Sequence, residues 1–315
     1  MAICHSSENR EGEEAMRIAV VGAGAVGCYY GALLAQAGHQ VVLIGRALHV
    51  EAICTNGLIV ERSSGSEVVA LEASVEPKAV EGADLILVCV KSADTKVAAE
   101  QIAPYLAPKV QILSLQNGVG NAEVLAGIVK RPVIGAAVYV GTQMVGAGHV
   151  RYHGLGSLMI GSSDASEALA AMLVKAKIPT TISDDIDAVL WAKLTVNCAY
   201  NALSAIADQP YGRIVAIAEA RQLIEQVVIE CGSVARACGV RVFPKQLEKV
   251  MAVAETMAGQ YSSTAQDLHK GRSTEIDYLN GYIVRLGDEH GIPVPANQAL
   301  LAIIKIMESK SVLGS

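Results

Sequence analysis

A glycine-rich turn between a hydrophobic strand and a helix constrains the fold of this chain more than any other feature of its sequence. The apolar run Ile18–Val21 leads into a G-x-G-x-x-G pattern, and an alanine- and leucine-rich segment of helical length follows; the pattern consists of Gly22, Ala23, Gly24, Ala25, Val26 and Gly27. In such a turn the first glycine permits the tight bend, the second lets the backbone approach a pyrophosphate, and the third lets helix and strand pack closely. The start of the helix also offers unpaired N–H groups to phosphates. The motif predicts a dinucleotide site, with a purely structural turn as the alternative.

Short apolar runs then alternate with helix-length segments as far as residue 183. These runs are Ile18–Val21, Val41–Ile44, Leu85–Val90, Val110–Leu115 and Val133–Val138. Continuous apolar runs are typical of parallel strands buried on both faces, and their alternation with helices predicts right-handed βαβ units. Two further pieces, His149–Tyr152 and Ser157–Ile160, predict antiparallel strands that close the sheet.

From about Asp184 the pattern becomes helical and stays so to Lys310. We therefore predict an α/β protein with three parts. Residues 1–15 form a flexible N-terminal extension, residues 16–183 a Rossmann-type dinucleotide-binding domain, and residues 184–315 an all-helical substrate and catalytic domain.

Composition excludes several classes of protein. Hydrophobic residues make up 52% and charged residues 18% of the 315 residues, which excludes disorder. The formal net charge of -6 argues against a nucleic-acid partner, and the absence of a long apolar run argues against a membrane partner or a secretion signal. The seven cysteines form no C-x-x-C pair, so we expect no metal site and a reducing cytoplasm.

The end of the second strand indicates which dinucleotide binds. NAD enzymes usually place a carboxylate there for the ribose 2′-hydroxyl, whereas this chain reads Leu-Ile-Gly-Arg-Ala over residues 43–47. Arg46 is suited to a 2′-phosphate through charge-assisted hydrogen bonds. We therefore predict NADP(H), with a solvated surface arginine as the alternative.

Two later strand ends lie at the same edge of the predicted sheet. Lys91 follows one strand and would place a cation near the cofactor, and Asn117 follows another within Gln-Asn-Gly-Val-Gly. Ligands of open α/β sheets bind outside the carboxyl ends of the strands, which favours a site role for both. Asn-Gly is also a common turn pair, and a simple turn is the alternative.

One predicted helix contradicts local propensity. Lys193, Asn197 and Asn201 are spaced four residues apart and share one face of an otherwise apolar helix. Asparagine is a poor helix former, and such contradictions are typical of functional sites. An ammonium and two carboxamides would suit a small polar substrate with a carbonyl group, whereas a solvent-exposed polar stripe is the alternative.

These residues together resemble the ketopantoate reductase family (2-dehydropantoate 2-reductase), within the 6-phosphogluconate-dehydrogenase-like oxidoreductases. The resemblance extends from Met16 to about Ser309. It rests on Gly22–Gly27, Val90-Lys91, residues 116–120, Trp191-x-Lys193-Leu194-x-x-Asn197-x-x-x-Asn201, residues 262–267 and, most specifically, residues 271–281 (Gly-Arg-Ser-Thr-Glu-Ile-Asp-Tyr-Leu-Asn-Gly).

The resemblance implies reduction of ketopantoate to pantoate with NADPH, a step of pantothenate and coenzyme A synthesis. Lys193 matches the family's general acid and Glu275 its acidic partner. The positions that hold substrate or cofactor are matched by Asn117, Asn197, Asn201 and Ser263, and the cations on the cofactor side by Arg46 and Lys91. Local patterns also predict helix capping boxes that begin at Ser263 and at Thr274.

The chain departs from the family at two places. Ala202 stands where the family commonly has proline, and Tyr211 where it often has a substrate-binding asparagine. The alternatives are therefore reduction of another 2-oxo or 3-oxo acid, and a non-catalytic dinucleotide sensor. The sequence is compatible with a homodimer.

Overall fold

The computed structural model describes residues 15–313, so the predicted extension, residues 1–15, lies almost wholly outside the described residues. Within this range ten strands form one sheet. They are β1 (Arg17–Val21), β2 (Gln40–Ile44), β3 (Leu58–Arg62), β4 (Gly65–Val69), β5 (Glu72–Ser74), β6 (Leu85–Val88), β7 (Gln111–Ser114), β8 (Ile134–Gly146), β9 (His149–Gly161) and β10 (Thr180–Ser183).

Five α-helices lie between the strands and seven follow the last one, within the same described range. The first five are α1 (Ala25–Gln36), α2 (Ala47–Asn56), α3 (Thr95–Ile102), α4 (Asn121–Val129) and α5 (Ser166–Lys175). The others are α6 (Ile186–Ala207), α7 (Tyr211–Val215), α8 (Ala218–Ala237), α9 (Gln246–Thr256), α10 (Ser263–His269), α11 (Asn280–His290) and α12 (Pro295–Leu313).

The sheet has the order β4-β3-β9-β8-β7-β6-β1-β2-β5, and β10 pairs with the far end of β9. β1 pairs in parallel with both β2 and β6, so the glycine-rich turn leaves the sheet between the ends of two parallel neighbours. β8 and β9 pair antiparallel over their length, which confirms the predicted closing strands, although they form one long hairpin instead of shorter pieces. The predicted α/β fold with a helical second part is confirmed.

Three hydrophobic clusters explain this architecture. In β1, Ile18 and Val20 point into a cluster with α1 and α5, while Ala19 and Val21 point into a second cluster with α3 and α4. Burial on both faces is the reason that these strands are continuously apolar. A third cluster, centred on α6 and α8, joins the C-terminal helices.

The prediction that only helix-length segments separate Ile44 from Leu85 is wrong. The hairpin β3–β4 and the short strand β5 also lie there, at the two edges of the sheet. β3 has only two buried residues and β4 only one, so neither strand has the continuous apolar run by which the central strands were found. We propose the boundary between the two domains at residues 183/184, where β10 ends and α6 is about to begin. None of the described helices is long and apolar enough to span a membrane.

Candidate active site

The glycine-rich turn has the geometry that a bound pyrophosphate requires. Gly22 has a φ of +116°, and a Cβ there would lie 2.7 Å from the backbone of Cys89 and Val90. A Cβ on Gly27 would lie 2.1 Å from the carbonyl oxygen of Gly22. By contrast, a Cβ on Gly24 would meet no atom within 4 Å, so open space lies in front of the first turn of α1. The residues present therefore fit a dinucleotide, with its phosphates at the start of α1.

Arg46 lies two residues after β2, at the N-terminus of α2. Its side chain is 87% exposed, and its Nη2 atom lies 3.8 Å from the Oδ2 atom of Asp94. An exposed ion pair of this length is weak, so the guanidinium is accessible to an anionic group. This placement fits both the predicted 2′-phosphate contact and the surface arginine, and the cofactor role of Arg46 stays a prediction.

Lys91 extends away from the sheet and contacts the helical part of the chain. Its Nζ donates hydrogen bonds to Oδ2 of Asp267 (2.8 Å) and to the carbonyl oxygen of Ser273 (3.0 Å). The ammonium thus links the carboxyl end of β6 to the segment that leads into the Glu275 region. Its predicted cofactor contact remains a proposal beside this observed link.

Three of the predicted site residues form a connected line. The Lys193 ammonium on α6 donates to Oδ1 of Asn117 at 2.9 Å. The Nδ2 group of Asn117 donates in turn to Oε2 of Glu275 at 3.5 Å, a long hydrogen bond. The Asn117 carboxamide therefore lies between the ammonium and the carboxylate, an arrangement that the sequence did not indicate.

The surroundings of Lys193 tune its acidity. Burial lowers the pKa of Lys193 to about 8, and the negative charge of Glu275 acts in the opposite direction and raises it. The Tyr139 ring lies 5.8 Å from the ammonium, within the range of a cation–π contact. At neutral pH the amine is mostly protonated, yet it is a stronger acid than an exposed lysine. Such a group can stabilise developing negative charge and donate a proton.

A buried polar network holds Asn117 and Glu275 in place. The backbone N–H of Ser92 donates to Oε1 of Glu275 (3.2 Å), and the Ser92 hydroxyl donates to the carbonyl oxygen of Asn117 (2.9 Å). The Asn121 carboxamide donates to the same carbonyl at 2.8 Å and to the Ser92 hydroxyl at 3.1 Å. Sequence reasoning missed Ser92 and Asn121. Ser92 lies in the loop that follows β6 and Asn121 is the first residue of α4, and these positions beyond the strand ends are the signal that could have identified them.

The polar face of α6 is not a solvent-exposed stripe. Lys193 and Asn197 are half-buried, and Asn201 is only 3% exposed. Oδ1 of Asn201 accepts a hydrogen bond from the buried Tyr211 hydroxyl at 3.2 Å. The alternative of an exposed stripe is therefore wrong, because the helical core covers the end of this face that carries Asn201.

Ser263 is exposed at the start of α10, and its neighbour Ser262 is the residue that caps this helix. The Ser262 hydroxyl accepts from the N–H of Ala265 and donates to the carbonyl oxygen of Asn201, each at 3.0 Å. This contact holds the start of α10, and with it Ser263, beside α6. The predicted capping box at Ser263 is wrong by one residue, since the buried hydroxyl of Ser262 is the one that faces the free N–H groups.

The predicted capping box at Thr274 is wrong as well. The Thr274 hydroxyl accepts from the N–H of Ile276 at 3.2 Å and donates to Glu308. Only a short 3₁₀ turn, Ile276–Tyr278, follows Glu275, so there is no α-helix for Thr274 to cap.

Among residues 15–313, no cluster of three His, Cys, Asp or Glu side chains could hold a metal ion.

Family models match both parts of the chain. Residues 18–165 match the model "Ketopantoate reductase PanE/ApbA", and residues 185–308 match "Ketopantoate reductase PanE/ApbA C terminal". Curated relatives are similar over most of their length. The 2-dehydropantoate 2-reductase of Archaeoglobus fulgidus is 34% identical over 93% of this chain and 98% of its own, and that of Vibrio cholerae is 32% identical with the same coverage.

Solved structures show the same similarity. A PanE/ApbA family ketopantoate reductase from Ralstonia eutropha JMP134 is 50% identical, with a TM-score of 0.91 over 94% of this chain and all of its own. D-mandelate dehydrogenase, solved with NADH and anilino(oxo)acetate, is 28% identical, with a TM-score of 0.89 over 94% of this chain and all of its own.

Proposed function

Because the chain belongs to the ketopantoate reductase family, we propose that it reduces a 2-oxo acid with NADPH, and that ketopantoate, which yields pantoate, is the substrate. One observation carries the proposal. One line of side-chain hydrogen bonds joins three residues that are distant in the sequence: Asn117 is 76 residues from Lys193 and 158 residues from Glu275. Neither a sensor nor a structural helix needs a half-buried ammonium held in this way.

The chemistry follows from what each side chain can do. Bound NADPH supplies the hydride that reaches the carbonyl carbon of the acid. The Lys193 ammonium stabilises the negative charge that develops on the carbonyl oxygen, and then donates its proton there. Asn117 accepts a hydrogen bond from the ammonium and so orients it before substrate arrives. Glu275 keeps the pKa of Lys193 higher than burial alone would allow, which maintains the acid in its charged form.

We assign the binding of the acid to the remaining polar residues of α6 and to the start of α10. Asn197 and Asn201 lie one and two turns beyond Lys193 on the same helical face. Ser263 is held beside them through Ser262. Their carboxamides and hydroxyl are suited to the carboxylate and hydroxyl groups of a small oxo acid, and they would fix its reacting carbon in place.

The cofactor assignment rests on the glycine-rich turn and Arg46. Open space at Gly24 fits the pyrophosphate, and the exposed guanidinium at the end of β2 fits a 2′-phosphate. The finer statements remain proposals of the same kind: a cytoplasmic location and a homodimeric assembly.

A second candidate is the reduction of a bulkier 2-oxo acid. The similarity to D-mandelate dehydrogenase favours it, since that protein was solved with an aromatic oxo acid analogue. So does Tyr211, which donates to Asn201 at a position where the family often has asparagine.

Turnover of NADPH with a panel of acids tests the proposal. NADPH oxidation should be followed by absorbance with ketopantoate, an aromatic 2-oxo acid, a 3-oxo acid and no acid. We expect the highest kcat/KM for ketopantoate, while preference for the aromatic acid would support the second candidate. Tight NADPH binding without turnover of any acid would refute the reductase proposal and favour a sensor.

A further inference from the structure

The residue before Glu275 is held by the last helix of the chain. Oε1 of Glu308, on α12, accepts two hydrogen bonds from Thr274, one from its backbone N–H and one from its hydroxyl, each at 2.7 Å. The other carboxylate oxygen, Oε2, lies 3.2 Å from the Lys305 ammonium one turn earlier, and Lys305 also pairs with Asp277 at 2.9 Å. Both sides of Glu275 are therefore anchored to the same turn of α12.

The contact between Glu308 and Thr274 is stronger than an ordinary surface pair. The Glu308 side chain is only 17% exposed. Short hydrogen bonds to an ionised carboxylate are roughly twice as strong as those between neutral groups. Burial acts to raise the pKa of Glu308, but the hydrogen bonds from Thr274 together with the hydrogen bond and charge of Lys305 outweigh burial and lower the pKa. The carboxylate is thus ionised at neutral pH.

α12 is itself a fixed support. The buried carboxylate of Glu230, on α8, accepts bonds from the N–H groups of Ala296 and Asn297 at 3.0 Å each, which holds the start of the helix. Leu300 and Ile304 are buried in the helical core. The position of the Thr274 backbone is therefore set by the helical core and not by the loop alone.

Glu275 has little local structure of its own to hold it. It precedes a short 3₁₀ turn, and its carboxylate reaches into the sheet domain to meet Ser92 and Asn117. We propose that Glu308 is a positioning residue, which acts through Thr274 to keep the Glu275 carboxylate where it supports the charge on Lys193. This inference rests on the proposed reductase function only for its kinetic readout.

The pKa of Lys193 tests the inference without any substrate. A small amine-reactive reagent labels only the neutral form of Lys193. The labelling rate, measured by peptide mass spectrometry as a function of pH, therefore reports that pKa. An opposite charge close by shifts a pKa by about 1–3, so partial displacement of Glu275 should lower the pKa of Lys193 by roughly 0.5. We expect Glu308→Gln and Thr274→Val to produce this change, in the direction of Glu275→Gln.

Matched variants separate positioning from general damage. Thr274→Ser retains the hydroxyl, so the pKa of Lys193 should stay at the wild-type value. Glu289→Gln removes an exposed carboxylate that also pairs with a cation one turn away, Arg285, and should change nothing. If Glu308→Gln fails to fold, Thr274→Val still tests the contact from its other end, because it leaves the carboxylate in place.

The kinetic readout completes the test. We expect kcat of Glu308→Gln to fall roughly tenfold, with the affinity for NADPH unchanged, because a displaced group near the reacting atoms slows the chemical step. A lower melting temperature with an unchanged pKa of Lys193 would overturn the inference while leaving the reductase proposal intact. A shifted pKa in a protein that turns over no oxo acid would support the inference and refute the proposed function.

Discussion

Replacement of Lys193 by alanine should remove both the cation and the proton that the reduction needs. Loss of a general acid or of an oxyanion donor costs about 10²–10⁴ in rate, so kcat should fall by that factor. NADPH affinity should change little, because the glycine-rich turn proposed to bind the phosphates lies in the part of the chain that forms the sheet. Glu275→Gln should also slow the reaction, and its effect should not add to that of Lys193→Ala, since the two groups act as a unit.

The pH dependence of kcat/KM tests the same role of Lys193, because it predicts both the direction of the change and the pH at which it is half complete. The pKa of Lys193 is about 8, so the acid form dominates below this pH and is lost above it. Between pH 7 and pH 9 the protonated fraction drops from about nine-tenths to about one-tenth, and kcat/KM for reduction should fall roughly tenfold. Glu275→Gln removes the charge that raises this pKa, and its profile should therefore begin to fall at a lower pH.

The assay is the initial rate of NADPH oxidation at saturating NADPH and varied ketopantoate concentration, which gives kcat and kcat/KM at pH values from 6 to 10, with NADPH binding measured in parallel. Lys249→Ala is the matched control, since this lysine is exposed on α9 and contacts Phe243 away from the site. The reasoning would be refuted by a Lys193→Ala enzyme with near wild-type kcat. An alkaline decline that persists in that variant would refute the assignment of the acid.

Three further perturbations address the cofactor and the substrate. Arg46→Asp should shift the preference from NADPH towards NADH by about 2 kcal/mol or more, and a wild-type protein that already prefers NADH would contradict the role of Arg46. Gly27→Ala should destabilise the fold in thermal unfolding, because the new Cβ would lie 2.1 Å from a carbonyl oxygen, whereas Gly24→Ala should fold normally and bind NADPH more weakly. Tyr211→Asn should raise kcat/KM for ketopantoate relative to bulkier oxo acids, because it removes the hydroxyl that occupies the Asn201 carboxamide; equal ratios in the two enzymes would show that Tyr211 does not shape the pocket.

The sequence predicted those elements whose physical cause is local. Strands buried on both faces must be apolar throughout, and a glycine-rich turn must carry glycine where the backbone crowds; these rules located β1, β2, β6 and β7 and the turn at Gly22. The hairpin strands β3 and β4 were not predicted, because partly exposed strands need not be apolar throughout. The polar face of α6 was found because asparagine in a helix contradicts propensity.

The tertiary structure alone decided how the site is connected. Lys193 and Glu275 were expected to meet, but the chain fold inserts the Asn117 carboxamide between them and holds it through Ser92. Thr274 carried a local capping pattern, yet its hydroxyl donates to Glu308, 34 residues away. A side chain with several short-range partners available takes the one that burial and charge make most favourable, and neither quantity is encoded in local spacing. The sequence by itself therefore determined which chemical groups this protein has and which elements carry them. Only the packing of the sheet against the C-terminal helices determined which of these groups are hydrogen-bonded to each other.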